Sequence, residues 1–538
     1  MCGSEPLKST SYRRAIALYW RTGTIRIMST QLASMPDHSS STTLDTITHI
    51  WTSLGLPPEA LASLSLSPNA DQQTYCYPSS FKLDHLAQST IALSALTVAL
   101  VQSLKPGGAV PKVNVPLKHA CLEFKTERLY TLDGMAPASG WGPIGGMHKV
   151  ADGYVRIHDS FPNHRYGTLA LLGLERNASR EDVAEKVAWR KRFELEEVAA
   201  RSKLVIYALR SYDEWDATPQ AQALSDLPVR IRKLSDDGPA GLPPHMSGRT
   251  DRCLRGLRVL EFSRVIAAPV AGKTLAAHGT DVLWITSPKL PDLPALDRNL
   301  ARGKRTIQLD LNDETDRDTL RSLVREADVF LQGYRPSSLA AKGFGPSELQ
   351  AMRPGIIVAN LSAFGPEGPW AERRGFDSLV QTCSGMNVSE AERFYSITND
   401  GNSSKNDDGA LPPLSPAKPL PCQALDHAAG YLLATGIAAA VYRRSREGGS
   451  WGVDVSLAGV GKFLRSLGQW EGRRGFEQAT GLPDLEGLEG EGEGGLFEER
   501  MSGFGVLKAL RHVAGVEGAE VGWEVMPQVL GSGDAKWL

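Results

Sequence analysis

Residues 254–311 constrain the fold most, because their pattern of apolar and small residues predicts a βαβ unit. A short apolar strand over 258–262 is followed by a small-residue turn over 265–272, a short helix over 273–278 and a second strand over 281–285. In such a unit the turn lies beside a helix N-terminus, whose free N–H groups bind phosphate. The turn lacks G-x-G-x-x-G, which disfavours an ordinary dinucleotide site and leaves other phosphate-bearing cofactors open.

The alternation of strands and helices continues beyond this unit. A basic loop precedes a strand near 305–309, an amphipathic helix covers 313–327, and strands cover 328–332 and 355–359. Alternation of this kind predicts a mostly parallel sheet with a crevice at the strand ends. The fold class expected is α/β, with a Rossmann-like parallel sheet domain and a smaller α+β domain. The side chains expected in the crevice are Ile266, Lys304, Tyr334 and Arg335.

Composition narrows the function classes. The chain has 538 residues, of which 41% are hydrophobic, so it can build two or more domain cores. A net charge of −2 argues against nucleic acid or an anionic membrane as the main partner. The 6 cysteines lie far apart without a C-x-x-C pair, which predicts neither a disulfide framework nor a zinc site. The longest apolar run, 90–104, is shorter than the roughly 20 residues of a membrane span. We expect a cytoplasmic protein acting on small molecules.

Shifts in composition divide the chain into five segments. The first is Ser/Thr-rich and basic, so it is either a disordered extension or a targeting peptide, which leaves a mitochondrial location open. A Pro/Gly-containing stretch before the βαβ unit is the best domain boundary. The predicted segments are 1–45 (extension), 46–235 (N-terminal half), 236–253 (linker), 254–470 (Rossmann-like half) and 471–538 (Glu/Gly-rich loop and C-terminal tail).

Two blocks of the sequence repeat each other. Leu83-Asp84-His85 begins an apolar helix that is followed by two glycines and a strand, and Leu425-Asp426-His427 begins a second block of the same order. The spacing from the aspartate to the glycines differs by one residue between the blocks. Common ancestry explains so many ordered matches, and a generic helix–Gly–Gly–strand hairpin is the alternative.

Residues 254 to about 463 resemble the family III CoA-transferases (CaiB/BaiF), which include formyl-CoA and carnitine-CoA transferases and the related α-methylacyl-CoA racemases. Residues 140–224 are similar to the family's later portion but stand out of order, so the chain resembles a rearranged or fused member. Because family members form interlocked dimers, the resemblance implies a homodimer. The motifs that carry it are 254–261, Ala268-Pro-Val-Ala-Gly272, Arg302-Gly-Lys-Arg305, Tyr334-Arg-Pro336, Gly343-Phe-Gly-Pro346, Phe364-Gly-Pro-Glu-Gly-Pro369, Gly375-Phe-Asp377, Ser384-Gly385 and Asp426.

The resemblance implies a CoA-transferase that moves CoA between an acyl-CoA and a carboxylic acid, with CoA as a co-substrate and without a tightly bound cofactor or metal. In such enzymes an aspartate attacks the thioester, and an aspartyl anhydride and an aspartyl-CoA thioester follow. Asp426 matches the nucleophile position and Asp84 is its rival in the first block. A glycine loop over 140–146 would cover the anhydride, with Gly145 and Gly146 offering backbone N–H groups.

The resemblance also implies the CoA contacts. The backbone at Val265 and Ile266 would approach the pantetheine arm, Lys304 would bind phosphate, and Tyr334 would stack on adenine. Supporting contacts would come from Arg335, Lys342 and Arg374.

Two other functions stay open. A racemase needs a His-Asp pair where Phe376-Asp377 stands, which disfavours it, although His427 beside Asp426 keeps it as an alternative. The other is an inactive family member that binds or scaffolds, which would be favoured if Asp426 lay outside any pocket.

Overall fold

The computed structural model describes residues 35–67, 75–395, 415–482 and 495–538. Most of the predicted N-terminal extension therefore lies outside the described residues. Its last residues are ordered: the Thr42 side chain accepts the backbone N–H of Asp45, and the Asp45 side chain accepts that of Thr42, so this capping box begins helix α1 (Thr43–Ser53). The predicted extension thus ends before Thr42 rather than at residue 45.

Helices and strands alternate along most of the described chain. The remaining helices are α2 (Leu83–Gln102), α3 (Leu117–Glu123), α4 (Pro162–Leu171), α5 (Arg180–Val187), α6 (Arg192–Arg201), α7 (Tyr212–Asp216), α8 (Pro219–Gln222), α9 (Ala267–Ala277), α10 (Pro294–Leu300), α11 (Glu314–Glu326), α12 (Pro336–Ala340), α13 (Pro346–Met352), α14 (Asp377–Cys383), α15 (Met386–Tyr395), α16 (Ala424–Glu447), α17 (Leu457–Ser466) and α18 (Arg474–Glu477). The strands are β1 (Leu64–Ser67), β2 (Val113–Pro116), β3 (Tyr130–Leu132), β4 (Gly146–Val150), β5 (Gly153–Ile157), β6 (Ile206–Ala208), β7 (Val229–Ser235), β8 (Arg258–Phe262), β9 (Asp281–Thr286), β10 (Lys304–Gln308), β11 (Val329–Gln332), β12 (Ile357–Ser362), β13 (Ser450–Ser456), β14 (Phe497–Ser502), β15 (Gly505–Leu510) and β16 (Gly515–Val516).

A seven-stranded sheet forms the centre of the fold, in the order β10-β9-β8-β11-β12-β13-β7. Six strands are parallel, and β7 pairs antiparallel with β13 at the edge. The inner strands are almost continuously apolar because helices cover both faces of a parallel sheet. The sheet confirms the predicted α/β class. From β8 the chain continues to β9 and β10 on one side, and from β11 it continues to β12 and β13 on the other side. The topological switch point therefore lies between the neighbouring strands β8 and β11.

Helix α9 starts earlier than the sequence suggested. The small residues after Ile266 were predicted to be a turn, but the helix begins at Ala267 and includes Pro269. Proline is tolerated there because the first helical N–H groups have no partner within the helix. Gly272 is required by close packing and not by a turn. A Cβ at this position would lie 1.7 Å from Oε2 of Glu261.

Two long apolar helices, α2 and α16, lie side by side in the interior. Both have the length and composition of a membrane span. However, 94% of the residues in the apolar stretch of α2 and 100% of those in the apolar stretch of α16 are buried within the protein. Strand β7 also comes from the N-terminal half and completes the central sheet. The two halves of the sequence therefore share one core, and residues 35–538 form one compact unit.

A smaller layer has its own core. Strands β4, β5 and β6 form an antiparallel sheet, and α4, α5 and α6 supply the apolar side chains that pack against it. This layer fits the predicted smaller α+β domain.

The two sequence blocks adopt the same order of elements. The first runs α2–β2–α3 and the second α16–β13–α17. Strand β2 has the parallel neighbour β1 and the antiparallel neighbour β16, and β13 likewise has a parallel and an antiparallel neighbour, β12 and β7. Common ancestry of the blocks stays a prediction.

Candidate active site at the switch point

A cavity of about 430 Å³ opens at the carboxyl ends of β8, β9, β11 and β12. This is the edge at which ligands bind in open α/β sheets, beside the switch point. The structure brings six of the ten predicted site residues to its wall. They are Val265, Tyr334, Arg335, Lys342, Arg374 and Asp426.

Asp426 lies in the first turn of α16, buried except for a 6% exposed fraction that faces the cavity. Within the part of the chain that the structure describes, no hydrogen bond occupies its carboxylate. Oδ2 of Asp377 accepts the backbone N–H groups of Leu425 at 2.8 Å and of Asp426 at 3.0 Å. The Gly-Phe-Asp motif thus fixes the start of α16 and leaves the Asp426 carboxylate directed to the cavity.

The surroundings of Asp426 disfavour its charged form. Burial, the neighbouring Asp377 carboxyl and Glu127 raise the pKa of Asp426 well above its usual range. Burial also raises the pKa of Asp377 to about 6, against the lowering effect of the backbone N–H of Asp426 and the side chain of Gln381. Two carboxyl groups this close do not both ionise freely. A desolvated carboxylate at Asp426 is therefore a reactive one.

The cavity wall is strongly basic. Six cationic side chains face two acidic ones, Asp310 and Asp426. Among the described ion pairs, none joins Arg264, Arg335 or Arg374 to a carboxylate. Burial and the nearby Arg335 and Arg264 lower the pKa of Arg374, as expected for cations gathered without a counter-charge. Such a wall suits a ligand with several negative charges. The cations are Arg264, Lys289, Arg335, Lys342, Arg373 and Arg374.

Sequence reasoning missed the aromatic and histidine side of the cavity. Phe161 and His164 come from the start of α4, and Phe376 precedes α14. Burial and the charges of Arg374, Arg264 and Arg335 lower the pKa of His164 to about 4, so the ring is neutral near pH 7. The guanidinium of Arg264 lies 4.1 Å from the ring centre of Phe161. The stretch Phe161-Pro-Asn-His164 could have indicated these residues, because its Asn and His follow soon after the strand predicted over 153–158.

Val265 and Ile266 have different positions. Val265 has φ +69°, which is rare for a β-branched residue, and it lines the cavity as expected for close backbone approach to a ligand. Ile266 is buried in the apolar core and precedes α9, so its side chain does not face the cavity.

The phosphate contact predicted for Lys304 is wrong. Lys304 begins β10, so it lies toward the amino ends of the parallel strands, whereas the cavity is at their carboxyl ends. Its Nζ is buried and binds Oε1 of Glu261 at 2.7 Å and the carbonyl of Pro269 at 2.8 Å. Lys304 therefore neutralises a buried glutamate.

The glycine loop is not part of the cavity wall. The N–H of Ile144 donates to Oδ2 of Asp159 at 2.7 Å, and Gly145 packs so closely on Asp159 that a Cβ would lie 2.2 Å from its Oδ1. Gly146 packs against Arg180 instead. The rings of His158 and Phe376 stack at 4.0 Å, with Phe376 at the cavity. In this structure Gly145 and Gly146 pack on Asp159 and Arg180 and do not line the cavity, contrary to the predicted catalytic role.

The two alternative groups also lie outside the cavity wall. His427 is fully buried, and its Nε2 lies 3.0 Å from Oε2 of Glu127, so it cannot serve as the base of a racemase in this cavity. Asp84 is enclosed by Cys76 and Cys121, and burial raises its pKa to about 7. Asp426 is thus the aspartate of the pair that reaches the cavity.

Comparison with known proteins confirms the family resemblance. Residues 254–470 match CoA-transferase family III. An acyl-CoA transferase of Gibberella moniliformis is 31% identical over 328 residues, which are 58% of this chain and 54% of the relative. A probable fatty acyl-CoA transferase of Mycobacterium tuberculosis is 30% identical over 226 residues, 40% of this chain and 52% of the relative.

The match covers only parts of these proteins. The chain spans about half the length of these two curated relatives. A crystal structure of a hypothetical protein from Mycobacterium tuberculosis is 28% identical and aligns over 40% of this chain and 56% of its own, with a TM-score of 0.32.

Proposed function

From the match of residues 254–470 to CoA-transferase family III, we propose that this chain transfers CoA from an acyl-CoA to a carboxylic acid, with Asp426 as the nucleophile. One observation carries the assignment: Asp426 presents a carboxylate that accepts no hydrogen bond from the described residues to a basic cavity at the switch point of the sheet. The basic wall suits the phosphates of CoA, and the acyl group would lie toward Asp426.

The proposed reaction needs only carboxylate and thiolate chemistry. The Asp426 carboxylate attacks the thioester carbonyl, the C–S bond breaks, and CoA leaves as a thiolate. The thiolate then attacks the aspartyl carbonyl, and the acyl group leaves as a carboxylate. The incoming acid attacks the resulting aspartyl-CoA thioester and releases the thiolate again. Attack of that thiolate on the new acyl carbonyl forms the product and regenerates Asp426.

The chain's own residues would divide these tasks. Asp377 holds the start of α16 through the N–H groups of Leu425 and Asp426. Arg335, Lys342 and Arg374 would bind the negative groups of CoA. Tyr334 offers a ring for adenine. We also propose a cytoplasmic location, which the composition predicts, and a homodimer, which the family resemblance implies.

Trapping tests the mechanism directly. We expect that incubation of the full chain with an acyl-CoA and then hydroxylamine converts Asp426 into a hydroxamate, which peptide mass spectrometry detects. Asp426→Asn is the control and should give none. A hydroxamate on Asp84, or none in the presence of measurable transfer, would overturn the assignment of Asp426.

A further inference from the structure

Three side chains of the kinds that bind metal ions lie together at the start of α2, outside the cavity of Asp426. Cys76 precedes the helix, Asp84 lies in its first turn, and Cys121 lies on α3. Their ligand atoms all lie within 4.8 Å of one another, and all three residues are buried. The sequence concealed this group because its two cysteines are far apart and form no C-x-x-C pair.

We propose that Cys76, Asp84 and Cys121 form a binding site for Zn²⁺. Two thiolates and one carboxylate are a ligand set that zinc prefers. In a tetrahedral zinc site, Zn–S and Zn–O bonds of usual length place a sulfur and an oxygen ligand about 3.5 Å apart. Sγ of Cys121 lies 3.7 Å from Oδ1 of Asp84, and the Cys121 thiol also contacts the Cys76 thiol.

Two backbone N–H groups partly offset the burial that raises the pKa of the Asp84 carboxyl. The backbone N–H of Cys76 donates to Oδ1 of Asp84 at 3.2 Å, and the N–H of Tyr77 also donates to this carboxylate. Asp84 lies at the positive end of the dipole of a 20-residue helix. These donors orient the carboxylate and offset its charge as outer partners of metal ligands do.

Binding would exchange protons for the metal. Zn²⁺ bonds to the two sulfur atoms as their S–H protons pass to solvent, and no electron transfer is involved. The three side chains supply three corners of a tetrahedron, and a water or hydroxide supplies the fourth. The site joins the segment before α2 to α3, so the metal would stabilise the N-terminal half.

Cobalt substitution tests the site without reference to activity. The full reduced chain, purified without an immobilised-metal step, is titrated with Co²⁺. We expect about one equivalent to bind with a thiolate-to-cobalt charge-transfer band that Zn²⁺ abolishes. Cys76→Ser and Cys121→Ser should lose the band, and Cys253→Ser should keep it because Cys253 is buried elsewhere, beside Lys105. Absence of the band in the wild-type chain, or an equal band in both cysteine variants, overturns the proposal.

Asp84→Asn keeps both thiols and the shape of the site, so it tests the third ligand even if a cysteine variant fails to fold. We expect the affinity for Co²⁺ to fall at least about tenfold. Zn²⁺ should also raise the unfolding temperature of the wild-type chain, because a ligand that binds only the folded state stabilises it. Unchanged affinity in Asp84→Asn, or an unfolding temperature that does not respond to Zn²⁺, contradicts the three-ligand site.

Discussion

Two long buried helices carry the same three residues, Leu-Asp-His, in their first turns, and the two helix starts have opposite surroundings. At α16 the aspartate faces a basic cavity and its carboxylate has no hydrogen bond among the described residues. At α2 the aspartate is closed in by two thiols and two backbone N–H groups. The same local motif therefore supports two kinds of chemistry.

The histidines that follow show the same contrast. His427 binds the buried carboxylate of Glu127, while Nε2 of His85 lies 2.8 Å from the Thr46 hydroxyl. The difference originates in the sheets. Helix α16 starts above the carboxyl edge of a seven-stranded sheet, which has a switch point and a crevice, whereas the sheet beside α2 has three strands. The sheet beside the helix start therefore decides whether the aspartate faces a cavity or a closed group of side chains.

The largest effect should separate the two aspartates. Asp426→Asn removes the nucleophile, so we expect kcat for acyl transfer to fall at least about 10³-fold while the circular dichroism spectrum stays native. Asp84→Ala should act on stability, by about 0.5–2 kcal/mol in urea unfolding, because alanine cannot accept the N–H groups of Cys76 and Tyr77. Equal losses of kcat in the two folded variants would contradict different roles for the two aspartates.

The two histidines should differ in stability. His427→Leu removes the partner of Oε2 of the buried Glu127 carboxylate and leaves only Arg128, 3.5 Å from Oε1, so we expect the free energy of unfolding to fall by about 3 kcal/mol. His85→Leu removes one hydrogen bond to a hydroxyl and should cost about 1 kcal/mol. Urea unfolding of both variants measures the difference. Equal costs would mean that the Glu127 pair adds nothing to the start of α16.

The basic wall distinguishes the cavity of Asp426 from the closed site of Asp84. Arg335→Gln removes a cation that has no carboxylate partner among the described ion pairs. We expect KM for acyl-CoA to rise about tenfold with little change in kcat, because one charge-assisted hydrogen bond to a phosphate is lost. Arg165→Gln, which contacts Tyr166 outside the cavity wall, is the matched control. A fall in kcat at constant KM would contradict a binding role.

The smallest effect concerns the acid side of the pH profile. The reactive form of Asp426 is the carboxylate, so kcat should rise with pH through the raised pKa of this group. The groups that raise it are Asp377 on α14 and Glu127 after α3, of which Glu127 is bound to His427. Asp377→Asn removes one negative neighbour, so the pKa of Asp426 falls and the acid limb moves to lower pH, by up to about one unit.

Asp377→Ala is the control for that shift. The asparagine can still accept the N–H groups of Leu425 and Asp426, but alanine cannot, so only the alanine variant should also lose about 0.5–2 kcal/mol of stability. An acid limb that stays in place in Asp377→Asn would show that the two carboxyl groups titrate independently.

The sequence predicted those site residues that follow parallel strands. Tyr334 and Arg335 come soon after β11, and the carboxyl ends of parallel strands meet at one edge. Lys304 failed because it begins its strand, and its partner Glu261 lies on another one. A residue's position within a strand was thus more informative than its charge.

Other parts of the site depend on contacts between distant segments. Glu127 reaches His427, and Asp377 reaches the start of α16, across folds of the chain that no local pattern encodes. The convergence of Cys76 and Cys121 is of the same kind. Periodicity predicts elements and their edges, but it does not predict which side chains of separate elements meet in the core.

Strand β7 also has a consequence for how the chain is made. It is the last strand of the central sheet, yet it leaves the ribosome roughly 200 residues before its neighbour β13. At synthesis rates of 5–20 residues per second, β13 is made about 10–40 s after β7. Until then the edge of β7 that pairs with β13 has no partner strand. During that interval the N-terminal half holds an open strand, and a second nascent copy could pair with it. Slow synthesis should therefore favour misassembled material over monomeric folding.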